Sequence, residues 1–179
     1  MRAITIPGAL FLLASILSAA PAAKSALPQN KKEYLTDGEA EKIRDAGTTG
    51  PRLVLYATFA ADRIKKLQYE FAHIDPEDRK RTERLNGLIN GYTGCIDDAA
   101  DLLDLGIEKQ EDIRDGVKLL QAKIKEFLPY LQELAEKGPE RETYQDNIDD
   151  AVEATQDAQK DVENAAKEMA PPPVRRKPS

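Results

Sequence analysis

Apolar residues recur every three or four positions along four long segments of this sequence, and that spacing sets the fold class. Residues at this spacing lie on one face of a helix, which must then pack against another helix. Three of the segments are expected to form helices over about 52–72, 108–137 and 139–170. Their stripes are Leu53, Ala57, Ala60, Ile64, Leu67, Phe71 and Ile74 in the first; Ile113, Val117, Leu120, Ile124, Phe127, Leu131 and Leu134 in the second; and Tyr144, Ile148, Ala151, Thr155, Ala158, Val162, Ala165 and Met169 in the third. The fourth, about 76–105, has its stripe at Leu85, Leu88, Tyr92, Cys95, Ala99 and Leu102. The sequence therefore predicts an all-α domain.

Short breaks separate these segments and limit how they can be arranged. Asp75-Pro76, Gly106 and Gly138-Pro139 each favour a helix end or start. Long helices joined by such short breaks fold back on one another. We therefore expect an up-and-down antiparallel four-helix bundle, in which consecutive helices are neighbours and the first and last long helices touch. The alternative is a longer, dimeric assembly in which the first two long segments, about 52–72 and 76–105, form one kinked rod.

A short helix is expected before the bundle. Thr36 and Glu39 have the spacing of a capping box, and this helix should run to about Ala46. Residues 48–51 should then form a loop, so that the first long helix begins near Arg52. Pro129 lies inside the third long helix, where it removes a backbone hydrogen bond and favours a kink.

The two ends of the chain differ in composition from the helical part. Residues 1–22 combine Arg2, an apolar run and small residues before position 23, which is typical of a cleaved secretory signal. The run is shorter than the ~20 residues of a membrane-spanning helix. We expect an exported protein, periplasmic or secreted, that is not inserted in a membrane after cleavage. Residues 23–34 then form a polar tether, 35–170 the bundle, and 171–179 a proline-rich basic tail.

Charge limits the classes of partner. The chain has 32 acidic and 26 basic side chains, a net charge of −6, and removing Arg2 with residues 1–22 makes it −7. Such a chain is not expected to bind nucleic acid or anionic membranes. The last helix has ten acids against three bases, whereas residues 52–74 have a net charge of +2. This difference either favours contact between these two helices or gives a solvated acidic face.

The helical part lacks the common arrangements of catalytic nucleophiles. It contains no serine, one histidine (His73) and one cysteine (Cys95), so a Cys–His pair would require these two to meet. Glu70 and His73 match the Glu-x-x-His element of ferritin-like di-iron sites, which need two such elements. His73 is also in a position to cap the helix that precedes it by binding one of its last carbonyl groups. We expect no enzymatic activity and no cofactor.

Acidic pairs are the candidates for a metal site. Asp98 and Asp101 precede Gly106, and Glu111 and Asp115 follow it, so folding the chain there is expected to bring Asp101 near Glu111. Clustered carboxylates suit calcium or magnesium, and the pattern resembles the acidic repeats of PhoU-type bundles. The alternative is a surface ion pair of Asp98 with Arg114, which would stabilise the fold little.

A row of glycines accompanies the apolar stripe of residues 85–105. Gly87, Gly91 and Gly94 lie three or four residues apart, beside Cys95. Each glycine costs roughly 1 kcal/mol inside a helix, so we expect another helix to pack closely against this row. Cys95 is expected to be a buried core thiol, with an intermolecular disulfide as the alternative.

Two resemblances bear on function. The letters LTDGE at 35–39 resemble the LTxxQ segment of Spy-type and CpxP-type periplasmic chaperones, which are exported and all-helical. YLTDGEAEKIRDA and YTGCIDDAADL together are similar to uncharacterised exported helical proteins of acidobacteria, which implies a fold and no activity. The leading hypothesis is an exported bundle that acts by binding a protein partner or by self-association. The alternatives are a cation- or small-ligand-binding bundle and a holdase-like chaperone.

Overall fold

The computed structural model describes residues 34–75 and 77–169, and these form helices with no strand among them. This confirms the predicted all-α class. The expected signal sequence, the tether up to residue 33 and the tail from 171 lie outside the described residues. The structure contains a short 3-10 turn at Arg141–Thr143 and five α-helices: α1 Asp37–Asp45, α2 Thr49–Ala72, α3 Arg81–Glu108, α4 Arg114–Lys137 and α5 Gln145–Glu168.

The four long helices pack together in an order that differs from the predicted one. Extensive contacts join α2 to α3 and α4, and join α5 to the same two helices. Consequently α3 and α4, which are consecutive in sequence, lie across the core from each other, as do α2 and α5. The predicted contact between the first and last long helices is therefore wrong. Attraction between their opposite charges does not determine which helices pack together.

Contacts along the helices show their relative directions. α2 and α3 are antiparallel, since Glu70 near the end of α2 binds Arg84 near the start of α3 at 2.9 Å. α3 and α5 run in the same direction, because Asn86 contacts Asn147 and Tyr92 contacts Thr155. The prediction that all neighbours are antiparallel is thus wrong for this pair. The kinked-rod alternative is also wrong, because the chain reverses between α2 and α3.

The predicted apolar stripes account for most of the core. All seven expected positions of α4 are buried, and so are the expected positions of α5 from Tyr144 to Ala165. Tyr92 lies at the centre, where its ring meets the edge of Phe127 and its hydroxyl contacts Thr155 Oγ1 at 2.9 Å. Ile74, expected to continue the α2 stripe, is instead 50% exposed because α2 has already ended.

Helix limits differ from prediction at each break. α3 begins at Arg81 rather than near 76, α4 at Arg114 rather than near 108, and α5 at Gln145 rather than near 139. α2 begins at Thr49 rather than Arg52, since Pro51 falls in the first turn, where a backbone N–H has no helical partner anyway. Gly106 does not end α3 but lies within it, and a Cβ there would come within 2.5 Å of Ile113. Its missing side chain therefore lets the α3–α4 connection pass close to the helix.

Among the described helices, none is both long enough and apolar enough to span a membrane.

Candidate functional site

The segment 34–45, here called the strap, lies against the seam between α2 and α3. Its helix α1 has no fully buried residue, although Tyr34, Leu35 and Ile43 pack partly buried against the core. Polar contacts therefore add to a limited apolar contact. The main anchor is Arg63 of α2, whose guanidinium donates to both oxygens of Glu39, with Nη2–Oε2 at 2.7 Å. Nη2 also donates to the Tyr34 carbonyl at 3.1 Å. The side chains of Arg63 and Glu39 are only 7% and 13% exposed, so this ion pair is largely shielded from water.

Tyr34 makes the second attachment of the strap. Its ring lies over Gly94, where a Cβ would come within 2.6 Å of the ring, and its hydroxyl donates to Asp98. Burial, and then the hydrogen bond to Asp98, raise the pKa of Tyr34. Burial also raises the pKa of Tyr56, with Asp98 adding to the effect. Tyr34 was placed in the polar tether by sequence, yet it is packed against the helical domain.

Cys95 lies beneath these contacts. It is a fully buried free thiol, which confirms its predicted place in the core. Burial raises the pKa of the thiol to about 12, so almost none of it is the reactive thiolate at neutral pH. We therefore expect a thiol reagent to label Cys95 only when the strap or the core opens.

Glu39 has two roles that the sequence pattern showed only in part. The predicted capping box is confirmed, because the Thr36 N–H donates to Glu39 Oε2 at 2.9 Å and the Glu39 N–H donates to Thr36 Oγ1 at 3.3 Å. The same carboxylate binds Arg63, which ties the start of α1 to α2. Residues 34–46 and 92–102 are thus in direct contact, through Tyr34, Gly94 and Asp98.

The Arg63–Glu39 pair should make stability depend on pH. The hydrogen bonds from Arg63 lower the pKa of Glu39 from 4.5 to about 2. A carboxylate with a lowered pKa stabilises the fold above its unfolded pKa and loses that contribution as pH falls through its folded pKa. We expect up to about 3 kcal/mol of stability to be lost between pH 5 and pH 2. Urea unfolding at several pH values measures this, and in Glu39→Gln this part of the pH dependence should be absent.

The glycine row of α3 does not face another helix backbone, contrary to expectation. A Cβ at Gly91 would meet the Arg63 side chain at 3.4 Å, and one at Gly94 would meet the Tyr34 ring. These two glycines therefore make room for the contacts that hold the strap. A Cβ at Gly87 would meet nothing within 4 Å, so no packing contact in the described structure requires that glycine.

Gly87 lies instead in a groove between the second half of α2 and the first half of α3. This open groove has a volume of about 430 Å³ and a mostly apolar surface. It continues the seam that the strap covers, about 10 Å further along α3, two helical turns from Gly94. The residues that line the open groove are Lys65, Lys66, Tyr69, Glu70, Arg84, Gly87 and Leu88.

Tyr69 gives the open groove an exposed aromatic wall. It is 61% exposed, and it stacks on His73 with ring centroids 4.1 Å apart. Nδ1 of His73 donates to the Tyr69 carbonyl at 2.9 Å, which confirms the predicted capping role of this histidine. Tyr69 and Ile74 are the two large apolar side chains that the described part of the chain exposes, and both lie near the end of α2.

Charged side chains form the rim of the open groove. Arg84 binds Glu70 at 2.9 Å and Asp78 at 2.5 Å, and Lys66 binds Asp62 at 2.6 Å. Lys65 has no ion-pair partner among the described residues. Together with Asp62 and Asp78, the charged side chains at the rim balance, and most of them are held in ion pairs.

The four carboxylates proposed as metal ligands do not converge. Asp98 accepts the Tyr34 hydroxyl, and Glu111 accepts the Thr49 N–H at 2.6 Å at the start of α2. Asp101 and Asp115 are exposed. The expected approach of α3 and α4 fails because these helices lie across the core from each other. Within 34–75 and 77–169, no group of three or more His, Cys, Asp or Glu side chains has a geometry suited to a metal ion.

Glu70 likewise has a structural role. It binds Arg84, and its backbone carbonyl accepts Nη1 of Arg81 at 2.6 Å. His73 turns to its own helix end, so the two residues do not form a di-iron element.

Sequence reasoning missed Arg63 and Tyr69, the residues that distinguish the two parts of this seam. Arg63 lies one position before the predicted apolar Ile64, and a buried arginine has no periodicity signal of its own. Tyr69 lies outside the predicted apolar stripe of its helix. An aromatic ring on an otherwise polar helix face was the signal that could have identified it.

No known protein family matches the sequence, and neither a curated protein nor a solved structure shows significant similarity to the chain.

Proposed function

We propose that this chain is an exported, non-enzymatic helical domain that acts by binding a segment of another protein in the open groove of α2 and α3. The observation that carries the proposal is the open groove itself, with an exposed aromatic wall and a glycine floor that no described residue fills. Gly87 costs the helix roughly 1 kcal/mol relative to alanine, and the space above it offers a place for a partner side chain.

The described chemistry supports binding rather than catalysis. The single thiol is buried with a raised pKa, and the single imidazole is engaged at the end of α2. The polar groups nearest Cys95 are engaged with one another in holding the strap, through the Arg63–Glu39 and Tyr34–Asp98 contacts. Export follows from the signal-like composition of residues 1–22.

Affinity capture with a groove-filling variant tests the proposal. The full exported chain is immobilised and exposed to envelope extract, together with Gly87→Trp and a control, Gly38→Trp, at a position on α1 where an added Cβ likewise meets no atom within 4 Å. We expect proteins that bind the wild type and the control to bind Gly87→Trp about tenfold less. Identical capture by all three proteins would contradict binding in the open groove.

The two alternative functions predict different results. A holdase would suppress aggregation of an unrelated unfolded client, whereas a segment-specific domain should not. A cation-binding bundle would gain thermal stability from millimolar calcium or magnesium by mass action, and Asp101→Asn would abolish that gain. A melting temperature that neither calcium nor magnesium changes would rule out the cation-binding alternative.

A further inference from the structure

The strap and the surface on which it lies form a complete recognition pair within one chain. That surface, here called the seat, consists of Arg63, Gly91, Gly94 and Asp98. We infer that the strap is exchangeable between two copies of this chain: in a dimer, the strap of each copy leaves its own seat and occupies the seat of the other. The inference concerns the strap rather than the open groove, so it does not depend on the proposed function.

The seat is shaped for the strap and is costly to leave empty. Gly94 leaves room for the Tyr34 ring, and Asp98 accepts the Tyr34 hydroxyl. Arg63 donates to both carboxylate oxygens of Glu39, and its side chain is only 7% exposed. A guanidinium at such a site that loses its carboxylate is strongly destabilising. The strap of a second copy offers the seat the same contacts as its own strap.

The strap can leave its seat without loss of its own structure. Its apolar contact with the core is limited to side chains that are only partly buried, and α1 has no fully buried residue. The capping box of Thr36 and Glu39 lies within the strap and moves with it. Only residues 46–48 connect the two helices α1 and α2. Exchange therefore breaks and remakes the same contacts and changes only this connection, which makes it a low-cost route to a dimer.

Gly47 is the hinge of that connection. Its φ is +69°, in the left-handed region that other residues adopt only with strain. A Cβ at Gly47 would meet nothing within 4 Å, so a side chain there is opposed by the backbone conformation and not by a clash. The connection in a dimer is open and need not keep this φ. A substitution of Gly47 should therefore shift the balance from the closed monomer to the exchanged dimer.

Sedimentation equilibrium of the full chain tests the hinge. The wild-type strap is held near its own seat at an effective concentration of about millimolar or more, so exchange should begin only at roughly millimolar protein. In Gly47→Val the closed connection is disfavoured about tenfold. A dimer relieves this strain in both chains, so its dissociation constant should be about a hundredfold lower than that of the wild type. Gly38→Val is the control, because a Cβ at Gly38 also meets nothing but its φ is not left-handed.

A charge exchange between two full-length variants tests the seat. Glu39→Arg and Arg63→Glu each place like charges at the contact, so each variant alone should release its strap and expose Cys95 to a thiol reagent. In a mixture, the seat that keeps Arg63 can bind the strap that keeps Glu39, and the reversed pair can form in the other seat. We expect a heterodimer on size-exclusion chromatography and labelling of Cys95 that is at least about tenfold slower than in either variant alone. The double variant Glu39→Arg/Arg63→Glu restores the pair within one chain and should be a protected monomer.

Three results would overturn the inference. One is a mixture that elutes as monomers and is labelled as fast as its components. Another is a Gly47→Val that stays as monomeric as Gly38→Val up to roughly millimolar concentration. The third is a Gly47→Val dimer that survives addition of Arg63→Glu, since that dimer would use another surface. Circular dichroism shows whether the variants are folded, and if Arg63→Glu is not, the Gly47→Val measurement decides.

Discussion

Replacing Arg63 with alanine is expected to lower the free energy of unfolding by about 3 kcal/mol. The substitution leaves the carboxylate of Glu39, 13% exposed, without its partner, and breaking a largely buried ion pair costs about 3–5 kcal/mol. We expect a loss of stability at the low end of this range, because the released strap can move away from the domain and expose the Glu39 carboxylate to water. At about 3 °C per kcal/mol for a domain of this size, the melting temperature should fall roughly 9 °C.

Lys66→Ala is the matched control for this prediction. Lys66 also binds a carboxylate, Asp62 at 2.6 Å, but both side chains are about half exposed. Such surface pairs contribute about 0–1 kcal/mol, so the control should melt close to the wild type. Equal melting temperatures for Arg63→Ala and Lys66→Ala would contradict a stabilising role of the strap anchor.

The same Arg63 variant should change the reactivity of Cys95. With the strap released, we expect a thiol reagent to label native Arg63→Ala at a measurable rate, whereas the wild type should react only in denaturant. Rapid labelling of the native wild type would show that the strap does not protect the thiol. A wild-type dimer that dissociates on reduction would instead indicate an intermolecular disulfide.

Gly50→Ala is expected to destabilise the protein by about 2 kcal/mol. A Cβ at Gly50 would come within 2.5 Å of the carbonyl oxygen of Asp112, where the α3–α4 connection crosses the first turn of α2. That contact is with backbone, so no side-chain rotation relieves it. The chain must shift, and the cost exceeds the gain in helix propensity.

Gly87→Ala provides the control for Gly50→Ala, with an effect of opposite sign. A Cβ at Gly87 meets open space, so the better helix propensity of alanine should raise stability by up to about 1 kcal/mol. Thermal melts of the two variants beside the wild type measure both effects. A Gly87→Ala variant that is as unstable as Gly50→Ala would mean that Gly87 is packed rather than open.

The helices and their buried faces could be predicted from the sequence because both depend on local spacing. A stripe such as that of α4, from Ile113 to Leu134, records which side of a helix avoids water. The capping box of Thr36 and Glu39 is equally local, since both partners lie within one turn. These features required no knowledge of the rest of the chain.

The neighbours of each helix were decided only by the tertiary structure, because an apolar stripe shows that a face is buried but not which helix covers it. A short connection such as 109–113 can lead to an adjacent corner or across the core, and here the close approach allowed by Gly50 and Gly106 takes it across. That choice separates Asp101 from Glu111, and with them the predicted metal ligands. It was also tertiary packing that gave three glycines of one row different roles: Gly91 and Gly94 accommodate Arg63 and Tyr34, whereas Gly87 leaves a groove that no described residue fills.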